Sequence, residues 1–133
     1  MIPKPSQQKK PRIVPKRKDR AQIDSKNYNR ALEEYGAYCQ VCGDPNIDMH
    51  HRTFRSQGGR KGYRNLVPLC PTHHREAHQS RESADYWREK ARQKYGEYYD
   101  CDKYDLWEMD EIEQPKDDLF ERFMQREETA NGH

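Results

Sequence analysis

Apolar residues are scarce in this chain: 32% of its 133 residues are hydrophobic and 36% are charged. That balance excludes a large apolar core, and a domain so poor in core residues usually needs a staple, either disulfides or a bound metal. No window approaches the roughly 20 apolar residues of a membrane-spanning helix. No apolar stretch follows the N-terminal charges, so a secretory leader is not expected and a cytoplasmic location is. There is no internal repeat. Cysteines are few, four in all. In a reducing compartment Cys39 and Cys42 in a C-x-x-C arrangement, followed by Cys70 and clustered histidines, read as metal ligands rather than disulfides.

The net charge of +2 is small but unevenly spread. Residues 1–26 hold nine Lys/Arg and two Asp, residues 27–99 twelve bases and nine acids, and residues 100–133 four bases and twelve acids, which gives +7, +3 and −8. A basic front and an acidic rear suggest one end that faces nucleic acid and another that faces something else. The first 26 residues, with four prolines among the lysines and arginines, are expected to form a flexible basic arm. Such an arm can bind phosphate through counterion release, act as a nuclear import signal, or be a solvated tail.

Helical periodicity is clear on either side of the middle segment. Tyr28, Ala31, Leu32 and Tyr35 fall at i, i+3, i+4 and i+7, which predicts a helix over about 25–35 that Gly36 stops. Ser83 is expected to cap a second helix running to about Tyr95, with Trp87, Ala91, Tyr95 and Tyr98 on one face. Both stripes read as core packing. Residues 100–114 are acidic, and Pro115 precedes a short amphipathic helix candidate with Leu119, Phe120, Phe123 and Met124.

The chemistry is concentrated between about residues 39 and 79. Cys39-Gln-Val-Cys42 and Cys70-Pro-Thr-His73 each offer two ligands from one tight turn, and two such knuckles make a closed tetrahedral Cys3His zinc site. Cys101 is left over, as an ordinary free thiol. His74 and His78 follow a proline suited to a first helical turn and share one helix face, where two imidazoles can hold one ion. His73 and His74 point about 100° apart on a helix, so two different metals are implied. His50 and His51 occupy a short stretch able to form a strand, where neighbours face opposite sides, so one can bind metal while the other meets substrate. The loop that follows carries Gly58, Gly59 and Gly62 for close backbone approach, and Arg55, Arg60, Lys61 and Arg64 for DNA phosphates.

The pattern His50-His51, Asn65, His74, His78 resembles the HNH, or ββα-metal (His-Me finger), endonucleases, and Cys39, Cys42, Cys70 and His73 match the zinc knuckles many of them carry. The segment NLVPLCPTHHREAH with its upstream HHR and GG is especially similar to phage and prophage HNH proteins, including a recombination-enhancing nuclease group. The resemblance covers about residues 37–80. It implies His51 as the general base that activates water, His50, His74 and His78 as ligands of the catalytic cation, and Asn65 as the residue that supports the loop and orients the base. His50 stands where many members have aspartate, so the metal could be magnesium, manganese, nickel or zinc. Three nitrogen donors favour a transition metal by ligand type. Products with a 5′ phosphate and, if the protein is phage encoded, a host-cytoplasmic location are also implied.

The expected architecture is therefore an α+β ββα-metal core over residues 27–99, stapled by structural Zn2+ and flanked by helices, with the arm at 1–26 and an acidic tail at 100–133. The expected function is metal-dependent hydrolysis of DNA phosphodiester bonds at low sequence specificity. A rival reading makes both metal sites structural in a zinc-stabilised nucleic-acid-binding module, which leaves His51 and Asn65 without a use. In a third, the acidic rear and the Leu119/Phe123 face recruit a phage or host protein partner.

Overall fold

Polar caps decide where four of the helices begin. In the computed structural model, which describes residues 14–130, α2 (Ser25–Tyr35) opens on Asp24, whose carboxylate accepts from the Asn27 amide, and closes at Gly36 with φ +87°. Such a positive φ is cheap only for glycine. The chain then folds a two-stranded antiparallel sheet of β1 (Asp48–His51) and β2 (Leu66–Leu69), with His50 opposite Val67 and His51 opposite Leu66. Helix α3 (Pro71–Gln79) packs on both strands and completes a ββα unit. Its cap is Cys70, whose sulfur accepts from the His73 amide, and Pro71 sits in the first turn, where a missing N–H costs nothing.

Helix α4 (Arg81–Tyr95) packs on α3, and its cap is Ser80, three residues before the Ser83 expected from the sequence. Ser83 instead supplies the amide that Ser80 accepts. Of the expected stripe, Ala91 and Tyr95 are buried in one small cluster with Tyr99, Trp87 packs beside Val67 and Leu69, and Tyr98 packs instead against the cluster of Leu106 and Phe123. Around the sheet, Leu66, Val67 and Leu69 are fully buried. Each contributes about 1.5–3 kcal/mol by leaving water. They are split between two small clusters, one sharing Cys39, Cys70 and Ala77 and the other sharing Ala31 and Met49. No helix among the described residues is long and apolar enough to cross a membrane.

The described parts of both charged end segments carry more structure than their charge suggested. Part of the expected arm, residues 1–13, lies outside the described residues, but α1 (Arg17–Ala21) buries Arg20 and Ala21, so the flexible arm does not extend to residue 26. The reason is charge pairing with the rear of the chain: Arg20 donates to Asp102 and Asp105. That rear is no loose tail either. It forms α5 (Lys103–Glu108), which composition hid, and α6 (Asp117–Ala130), longer than the short helix expected. Asp102 and Asp105 close a reciprocal capping box on α5. Leu106, Trp107, Ile112, Phe123 and Met124 make a core of their own, with Leu119 and Phe120 against it. The Leu119/Phe123 face read as a partner-recruiting surface is thus spent inside the fold.

Candidate active site and metal centres

The turn at residues 39–43, the hairpin and α3 bring seven potential ligands into two groups, Cys39, Cys42, Cys70 and His73 in one and His50, His74 and His78 in the other, each with its ligand atoms within 4.8 Å of one another. Around tetrahedral zinc, two thiolates stand about 3.8 Å apart and a thiolate and an imidazole nitrogen about 3.5 Å. Cys42 Sγ and Cys70 Sγ are 3.8 Å apart, Cys39 Sγ and His73 Nδ1 3.6 Å, and Cys70 Sγ and His73 Nδ1 3.1 Å. Burial works to raise the Cys39 thiol, but hydrogen bonds from the backbone of Cys70, Cys42 and Val41 outweigh it and bring it down to about 6. A sulfur held as thiolate near neutral pH is the form zinc binds. The donor set fits structural zinc.

The second group is built differently. His50 has no solvent exposure, yet neither of its ring nitrogens has a hydrogen-bond partner. Burial, then the charges of His74 and His78, pushes its pKa down to about 3, so the ring is neutral and has a lone pair to offer. A buried polar group without a partner is costly, and a cation at this point would remove the cost. The three rings stand mutually 5.1 Å apart. His74 Nε2 and His78 Nε2 are 3.3 Å apart, within the roughly 3.0–3.4 Å expected for two nitrogens on one first-row cation.

Two residues that the sequence reading passed over hold this group in place. Asp48 Oδ2 lies 3.1 Å from His74 Nδ1, which leaves Nε2 facing the other histidines, a carboxylate–histidine arrangement typical of metal sites. The signal was available, since Asp48 and His50 are two apart on a strand and share a face. Phe54 stacks on His78 at 4.3 Å between ring centroids, and the Arg88 guanidinium covers Phe54 at 4.8 Å.

His51 emerges from the opposite side of β1. Its Nε2 is 2.8 Å from the Ala21 carbonyl oxygen. A carbonyl can only accept, so the neutral ring carries its hydrogen on Nε2 and keeps the Nδ1 lone pair. Burial lowers the His51 pKa, the Ala21 hydrogen bond works against that, and the nearby charges of Arg55 and His74 add to the lowering. Asn65, fully buried, organises the intervening loop: its Oδ1 accepts from the Thr53 amide, and its Nδ2 donates to the Thr53 and Arg60 carbonyls. It touches the base only through the backbone, as its own carbonyl accepts from the Arg52 amide next to His51. Gly59 is required here because a Cβ would lie 1.7 Å from the Thr53 carbonyl oxygen.

The four basic residues assigned to phosphate divide sharply. Arg55 is exposed. Arg60 gives two hydrogen bonds to Asp105, Lys61 pairs with Asp24, and Arg64, with only 5% of its side chain exposed, pairs with Glu121 and Glu128. Arg60 and Arg64 are therefore internal counter-ions rather than phosphate ligands. Burial opposes the Arg64 charge, and the glutamates more than compensate and raise its pKa. A free guanidinium that the sequence reading missed is Arg75, exposed in a shallow groove of about 370 Å³ that it lines with His74, His78 and Gln79. A larger cleft of about 910 Å³, lined by Lys61, Tyr63, Tyr104, Phe120 and Glu121 among others, contains none of the clustered histidines. Among curated proteins none matches the chain. The segment that carries both ligand groups, residues 39–80, matches the family model of the HNH endonucleases.

Proposed function

We propose that the protein is a metal-dependent DNA endonuclease. The observation that carries this reading is the juxtaposition of a buried, unpartnered His50 facing His74 and His78 with a His51 whose free nitrogen is fixed as Nδ1. Structural zinc alone accounts for neither feature.

In this mechanism Nδ1 of His51 takes a proton from a water molecule, the water oxygen bonds to phosphorus, the bond from phosphorus to the 3′ oxygen breaks, and that oxygen takes a proton from a solvent water, leaving a 5′ phosphate and a 3′ hydroxyl. The resulting imidazolium keeps its Nε2 hydrogen on the Ala21 carbonyl. His50, His74 and His78 would hold a divalent cation, which would supply Lewis-acid stabilisation of the charge that builds on the phosphate. Asn65 keeps the loop closed over the hairpin, and exposed Arg55 and Arg75 meet the DNA backbone. Cys39, Cys42, Cys70 and His73 hold the structural zinc that substitutes for missing core.

The test is plasmid cleavage with a series of added divalent metals, run beside His51→Ala. Cleavage should require the added metal, and the variant should lose it while keeping its melting temperature and one bound zinc. A fully active His51→Ala protein, free of contaminating nuclease, would remove His51 from the chemistry.

A further inference from the structure

We infer that α1 is a strap that holds the general base in its working tautomer, and that Arg20 is the positioning residue that holds the strap. The inference rests on the reading of His51 as the base. The partner of His51 Nε2 is the carbonyl of Ala21, thirty residues upstream and 4% exposed, rather than any group of the hairpin or its loop. A helix of five residues does not keep its place by itself, and α1 has no side-chain cap at its start. Its position comes from tethers. The Arg20 side chain, 9% exposed, sends Nε and Nη2 to the two oxygens of Asp102, each at 2.7 Å, and Nη2 to Asp105 at 3.0 Å. Asp105 in turn takes two hydrogen bonds of 3.0 Å from Arg60. On the backbone side, the Arg20 carbonyl accepts from the Lys61 amide at 3.0 Å. At the front of the helix, Arg17 donates to the Ser56 carbonyl at 2.8 Å.

One residue therefore sits between the acidic rear of the chain and the base. Its fork fixes α1 on the α5 cap, its carbonyl fixes α1 on the loop that Asn65 organises, and the next carbonyl selects which nitrogen of His51 keeps the hydrogen. Without that acceptor the imidazole can turn over and place the hydrogen on Nδ1, where it cannot take a proton from water.

The tautomer can be read directly from long-range 1H–15N correlations of histidine-labelled, zinc-loaded full-length protein without added catalytic metal, with His51 assigned by comparison with His51→Gln. The wild type should show a single Nε2–H form. Arg20→Met should show a mixture, and its cleavage rate at saturating DNA should fall by at least about tenfold, within the roughly 10²–10⁴ that a general base contributes. KM should change little. Arg20→Lys keeps the charge but loses the fork and should fall between the two; if Arg20→Met does not fold, the same two measurements on Arg20→Lys decide. A wild-type His51 protonated on Nδ1, an unaltered tautomer in the variants, or an altered tautomer with an unchanged rate would each overturn the strap. A fully active His51→Ala would instead overturn the general-base reading, whatever the spectra show.

Discussion

Protonation of His50 gives the most direct physical measure of the cation site. In the folded chain burial holds His50 near a pKa of about 3, whereas in the unfolded chain it returns to the ordinary value of 6.5. Between those values the unfolded state binds a proton that the folded state refuses. Stability is thus complete above about pH 6.5 and is lost as pH falls below it, at up to ~1.4 kcal/mol per pH unit. Integrated from neutral pH down to pH 5, the loss from this one residue is about 2 kcal/mol. The assay is urea unfolding at pH 7 and pH 5 of protein loaded with structural zinc only, for wild type and His50→Asn. Titrating groups remote from His50, including Asp24 and Asp105, act on both proteins and cancel in the difference of differences. The wild type should lose about 2 kcal/mol more than the variant between the two pH values. A difference below about 0.5 kcal/mol would mean that His50 has a proton partner when folded, and the argument from an unsatisfied imidazole would fail.

Two further outcomes test the division of labour among the ligands. His73→Ala should lose bound zinc and melting temperature together, because structural zinc contributes folding free energy, while His74→Ala should keep one tight zinc and a near-normal melting temperature and still lose cleavage; elemental analysis, thermal melts and plasmid cleavage on both variants check this, and the inverse pattern would exchange the two assignments. Asp48→Asn should weaken binding of a titrated divalent metal to the histidine group by about 10–100-fold without changing the melting temperature, and an unchanged affinity would make the 3.1 Å contact with His74 incidental.

What could be read from the sequence followed distance along the chain. The i, i+4 pair His74 and His78, the knuckle spacings of Cys39/Cys42 and Cys70/His73, and the capped, periodic helix ending at Gly36 are local patterns, and the structure brings them together as ligand groups and as α2. Asp48 was legible by the same strand alternation that separates His50 from His51, but was not used. The Ala21 carbonyl was beyond reach, since a backbone acceptor has no side-chain signature and lies thirty residues from the ring it serves. Helix α5 was hidden because its acids look like those of a solvated tail until Asp102 and Asp105 are seen to cap it and to take Arg20 and Arg60. The loop arginines misled for the complementary reason. A cluster of guanidiniums is the same pattern whether phosphate or carboxylate meets it.

That ambiguity bears on how the charge asymmetry of the chain works. Basic front and acidic rear suggested two ends facing different partners. In the fold the rear is paired with both other segments: Arg20 of the front and Arg60 of the middle meet Asp102 and Asp105, and Arg64 of the middle meets Glu121 and Glu128. A guanidinium with 5% of its side chain exposed cannot exchange its carboxylates for a DNA phosphate without undocking α6. Undocking would also expose Phe123 and Met124. Competition between the acidic rear and DNA for these arginines is therefore the wrong picture, because the acids have already taken them as part of the domain. Exposed bases without such partners include Arg55 in the loop and Arg75 in the histidine groove, the two that lie nearest the histidines. Backbone contacts placed next to the histidines would suit the proposed nuclease in reading phosphates rather than bases.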